Sequence, residues 1–68
     1  MAYRHYGRVT WFDPDKGYGF IRPESGDDIL VRSRDLADPD VSLHSGQRVT
    51  FSISHNRATA EAHRVRII

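Results

Sequence analysis

Apolar and polar residues alternate strictly from Arg48 to Ser54, so Val49, Phe51 and Ile53 share one face. A period of two predicts a half-buried β-strand. The same period, rather than 3.6, runs through most of the chain. Gly7 to Phe12 is rich in β-branched and aromatic residues and predicts a first strand. It ends at Asp13-Pro14-Asp15-Lys16-Gly17, a turn with proline at its second position. Gly17 to Arg22 predicts a second strand, Pro23 to Asp27 a turn, and Asp28 to Ser33 a third strand. Arg34 to Gln47 is polar and reads as a long connection. Arg48 to Ser54 is the fourth strand. After a turn at His55-Asn56-Arg57, a fifth runs from Ala58 or Thr59 to Ile67. That last segment is ambiguous, because Ala58, Ala60, Glu61 and Ala62 suit a short helix equally well.

Five short strands with closely spaced turns indicate a small all-β barrel or sandwich. A chain of 68 residues cannot fill two large sheets, so a closed barrel forming one domain over residues 1–68 is expected. The predicted core is Val9, Ile21, Ile29, Val31, Val49, Phe51, Ile53 and Val65.

Composition excludes several classes of function. With no cysteine, a disulfide scaffold, a zinc knuckle and a thiol nucleophile are all ruled out. The formal charge of +1 argues, as a total, against charge-driven binding to nucleic acid. The total conceals a pattern. Residues 1–22 carry +2, residues 23–43 carry −4 and residues 44–68 carry +3. Basic charge is nearly all arginine, with Lys16 the single lysine.

Aromatic residues are also uneven. Tyr3, Tyr6, Trp11, Phe12, Tyr18 and Phe20 fall in the first 20 residues, and only Phe51 lies elsewhere. Tyr18 and Phe20 are two apart on a predicted strand and share a face. Gly19 and Ile21 then face the core. The outer face presents rings next to Arg8, Lys16 and Arg22. Exposed rings stack on bases of any sequence, at about 1–3 kcal/mol per base, and neighbouring cations meet phosphates. Flanking glycines lower the relief beside the rings. The competing reading has Tyr18 and Phe20 filling the barrel, but the aliphatic residues named above already supply a core.

Gly7-Arg8-Val9-Thr10-Trp11-Phe12 followed by Lys16-Gly17-Tyr18-Gly19-Phe20-Ile21 resembles the cold-shock domain, whose hallmark is G-K-V-K-W-F, a short turn and K-G-Y/F-G-F-I. Asp27 to Val31 and Gly46-Gln47-Arg48-Val49-Thr50-Phe51 extend the resemblance over nearly the whole chain. It implies a five-stranded antiparallel barrel of the OB-fold kind, which the three-then-two grouping of strands also suits. It further implies binding of single-stranded RNA or DNA, and a bacterial role as RNA chaperone or regulator of transcription or translation. By resemblance, Trp11, Tyr18 and Phe20 stack on bases, Lys16 supports the backbone and Phe12 lies at the edge of the platform.

The second family motif, V-F-V-H-F, reads Ile29-Leu30-Val31-Arg32-Ser33 in this chain. The core types persist at Ile29 and Val31, while the three binding-face positions become Leu30, Arg32 and Ser33. Two basic positions of the first strand become Arg8 and Thr10. An aromatic usual in the long loop is absent, and Val41 lies nearest its place. Arg32 is expected to stack on a base or pair with phosphate, and Arg34 to add a phosphate contact. Weaker binding with a shorter footprint follows. The alternative is a barrel repurposed for protein–protein interaction, with Leu30 as an exposed apolar anchor.

Catalysis has no support in the motifs. Asp13, Asp15, Asp27, Asp28, Asp38 and Asp40 fall in predicted turns, where aspartate caps backbone. His5, His44, His55 and His63 have no zinc spacing and read as surface or turn residues. No phosphate loop or nucleophile elbow is present. No cofactor, metal or small-molecule substrate is expected. The longest apolar run, Ile29-Leu30-Val31, is far below the roughly 20 residues of a membrane span, and the polar start has no signal-peptide core. A cytoplasmic monomer is expected, with a strand-exchanged dimer as the alternative.

Overall fold

The alternating segment that begins at Arg48 is a strand, and it pairs on both sides to help close a barrel. The structure is a computed structural model that describes residues 4–24, 26–56 and 59–68. Its strands are β1 (His5–Asp13), β2 (Tyr18–Pro23), β3 (Ile29–Arg32), β4 (Arg48–Asn56) and β5 (Thr59–Ile67). They close in the order β1-β2-β3-β5-β4. All neighbours are antiparallel except β3 and β5, whose parallel seam seals the barrel at Leu30↔Glu61. The fifth segment is therefore a strand and not a helix; Ala58 lies outside the described residues. Among the described residues no helix is long and apolar enough to cross a membrane.

The core contains Val9, Ile21, Ile29, Val31, Val49, Phe51 and Val65, as the alternation predicts, with Ile53 half-buried against it. Two further core residues, Leu43 and Ala62, escape the pattern. Leu43 lies in the long connection, which is less polar in effect than in composition. That connection opens with a 3-10 turn at Ser33–Asp35, and Leu36 then forms a parallel bridge with Val65. The third strand accordingly stops at Arg32 and not at Ser33.

Two glycines set the geometry beneath the site. Gly17 is not strand but turn: its φ is +79°, and its N–H donates to the Asp13 carbonyl at 2.8 Å. Asp13 caps the same turn, its carboxylate accepting from the N–H groups of Asp15 and Lys16 at 3.0 and 3.2 Å. Gly19 is buried where β1 and β2 approach closely. A Cβ there would collide with the Trp11 carbonyl oxygen and lie 2.6 Å from the Phe12 Cα. Its absence of a side chain admits backbone from within the barrel and does not lower relief beside the outer rings.

Candidate nucleic-acid interface

A bulge in β1 aims the tryptophan. The β1–β2 register runs Val9↔Ile21 and then Trp11↔Phe20, leaving Thr10 as the extra residue. Val9 faces the core while Thr10 and Trp11 are both exposed. The bulge therefore brings Trp11 onto the outer face beside Phe20.

Three rings meet on that face. The Trp11 ring lies 5.4 Å from that of Tyr18 and 6.0 Å from that of Phe20, and Tyr18 and Phe20 are 6.4 Å apart. Their planes are inclined by 51°, 59° and 83° respectively. The face is thus three tilted stacking positions and not one flat plate. Trp11 and Phe20 are 42% and 37% exposed, too open for the core-filling reading, while Tyr18 is half-buried.

Registers carry the face across the sheet. Phe20 stands opposite Leu30, which pairs in turn with Glu61; Tyr18 stands opposite Arg32. Leu30 is half-buried beside the rings, and Ser33 is exposed just beyond. Lys16 and Arg34 are exposed at the turn and the 3-10 segment. Arg8 lies on the outer face of β1, where its guanidinium donates to the Gly46 carbonyl at 3.1 Å.

Two expected placements need correction. Phe12 does not edge the platform. The β1 bulge turns it to the other side, where it is half-buried and packed against the core. Arg32 is not a loose cation. It donates to the Glu61 carboxylate at 2.6 Å, with side chains 34% and 13% exposed. That hydrogen bond, opposed by desolvation and aided by the charges of Glu61 and Asp35, holds the guanidinium above its ordinary pKa.

His63 is also more than a surface residue. Its Nδ1 lies 2.8 Å from Asp35 Oδ1 and its Nε2 lies 2.6 Å from Ser54 Oγ. This chain of polar groups ties β4 and β5 to the 3-10 turn. Glu61 and Asp35 thus form an acidic border beyond Leu30. Sequence reasoning missed it because a parallel pairing between distant strands leaves no local signal.

A family model described as "'Cold-shock' DNA-binding domain" matches residues 5–68. The chain belongs to the cold-shock domain family. It is 39% identical to cold shock protein CapB of Pseudomonas syringae pv. tomato and 38% identical to the major cold shock protein CspA of Pseudomonas aeruginosa, each over the full length of both chains. Cold shock protein CspC of Bacillus subtilis is 42% identical over 82% of this chain and 86% of its own. The fold is shared with a solved structure described as drosophila Unr CSD456, with a TM-score of 0.83 and 18% identity, covering 98% of this chain and 27% of that one. Membership carries with it nucleic-acid binding of the cold-shock type, for which the outer face of β1–β3 is the candidate surface in this chain.

Proposed function

We propose that this cold-shock domain binds single-stranded RNA or DNA by stacking bases on Trp11, Phe20 and Tyr18, and acts as an RNA chaperone or as a regulator of transcription or translation. One observation supports this above the rest: three rings in mutual contact sit on the outer face of a barrel whose core is complete without them. Lys16 and Arg8 supply cations beside the rings. Arg34 extends the same chemistry at the 3-10 turn.

Affinity is lower than an aromatic-complete relative would reach. Leu30 and Ser33 offer no π-face, and each missing stack removes about 1–3 kcal/mol. Arg32 restores little, because a phosphate must compete with Glu61 for it. Stacking without base-edge contacts has little sequence preference, which suits a protein that covers a strand and releases it.

The test is a fluorescence titration of Trp11 with oligothymidylate and oligouridylate at two salt concentrations. Quenching with salt-dependent affinity is the expected result. A flat signal at low salt, with protein shown to be folded, would remove the stacking reading.

A further inference from the structure

The barrel register gathers three arginines into one row. Arg48 of β4 stands opposite Arg8 of β1, and Arg8 stands opposite Arg22 of β2. All three are exposed. In sequence they are 14 and 26 residues apart, and Arg48 belongs to a different charge segment from Arg8 and Arg22, so only the pairing joins all three.

Like charges directly opposite one another on a sheet disfavour the free protein. Compensation in this row is partial. Arg22 is paired with Asp28 at 2.9 Å, and Arg8 uses one donor on the Gly46 carbonyl at 3.1 Å. Among the described residues Arg48 makes no side-chain hydrogen bond or ion pair. A guanidinium has five donors, so even the engaged members keep free N–H groups.

The row is continuous with the rings. Tyr18, Phe20 and Arg22 are alternate residues of β2 and share its outer face. An open groove of about 280 Å³ lies there, lined by Tyr6, Arg8, Arg22, Pro23, Glu24 and Arg48. Tyr6 is 49% exposed, so the groove offers a further π-face beside its cations. Glu24 is the acid on its lining.

The opposite border is chemically different. Past Leu30, a phosphate meets Glu61 and Asp35, and their partners Arg32 and His63 are already engaged. Asp35 also holds a buried Oδ2 with no hydrogen-bond partner among the described residues. Approach of a polyanion is thus favoured at one end of the aromatic face and opposed at the other.

We infer that a single strand stacked on Trp11 and Phe20 continues over the Arg22–Arg8–Arg48 row, which takes its phosphates, and not over the β3–β5 seam. This rests on the stacking function proposed above. Guanidinium forks suit phosphate oxygens, and three of them spaced across adjacent strands follow a backbone rather than a single anion.

The experiment measures oligothymidylate affinity against salt, using Trp11 quenching, for the wild type, for Arg8→Gln/Arg22→Gln/Arg48→Gln, and for the single variants Arg48→Gln and Arg64→Gln. The triple variant is expected to bind at least tenfold more weakly at low salt. Its slope of log K against log salt should flatten by about 2, or about 0.7 for each phosphate no longer neutralised. Saturating quenching should persist, since the rings are untouched. Arg48→Gln should flatten the slope by about 0.7, and Arg64→Gln should not. A triple variant with wild-type affinity and slope would overturn the arginine track and leave stacking standing. Equal effects of Arg48→Gln and Arg64→Gln would overturn it too, by showing a response to net charge alone. Absence of quenching in the wild type would remove both readings. Should the triple variant fail to fold, as read by circular dichroism, the two single variants decide.

Discussion

Arg32 stands opposite Tyr18 on the outer face, yet its guanidinium is turned to Glu61, at 2.6 Å across the seam that closes the barrel. An acid on β5 therefore restrains the cation that the altered second motif introduces. Glu61→Gln keeps a polar side chain while removing the competing charge. Oligothymidylate affinity at low salt should rise, and the salt slope should steepen by about 0.7 as Arg32 gains a phosphate. Titration at several salt concentrations checks both quantities. An unchanged slope would mean that Arg32 has no access to the strand.

Phe20 and Phe51 are the same residue type in opposite roles. Phe51 is wholly buried, whereas Phe20 touches mainly the other rings of the outer face. Phe51→Ala should cost about 3–5 kcal/mol of stability. For a domain of this size that range removes most or all of the folding free energy. Phe20→Ala should cost about 1 kcal/mol of stability, because Trp11 and Tyr18 each lose one of their two ring contacts. It should also weaken binding by about 1–3 kcal/mol. Urea unfolding and Trp11 titration separate the two effects.

Gly19→Ala should destabilise by about 3 kcal/mol, the upper range for overpacking. The added Cβ has backbone before it, and backbone yields less readily than a flexible side chain. Chemical denaturation measures the loss. A variant with near wild-type stability would show that β1 and β2 can part without disturbing the core.

His63 bridges Asp35 and Ser54, and the Asp35 side chain is only 10% exposed. His63→Ala leaves that carboxylate unpaired, at a cost of about 1–3 kcal/mol. Adding Asp35→Ala removes the stranded group, so the double variant should lose less than the two single losses summed. Thermal unfolding of the set tests the coupling, with about 4–8 °C expected per kcal/mol.

The barrel is legible because alternation is local. Val49, Phe51 and Ile53 announce β4, and Trp11 with Tyr18-Gly19-Phe20 announces an aromatic outer face. Leu43 is not legible, since a single apolar residue in a polar connection has no period to mark it. The resemblance puts Phe12 at the edge of the platform, whereas the bulge at Thr10 changes the face on which later β1 residues lie and packs Phe12 against the core. Arg32–Glu61, Asp35–His63 and the Arg48–Arg8–Arg22 row all depend on strand register. Residues from 14 to 40 positions apart meet only when the strands pair in this register.

The central claim is that bases bind on the face of Trp11, Tyr18 and Phe20. The most direct measurement is a ¹H–¹⁵N chemical-shift map of the protein titrated with hexathymidylate. The account predicts the largest changes at the Trp11 indole N–H and at the backbone of Trp11, Tyr18, Phe20 and Leu30, with smaller ones at Arg8, Arg22 and Arg48. Changes confined to the Leu36–Leu43 segment, or no changes with a folded protein, would contradict it.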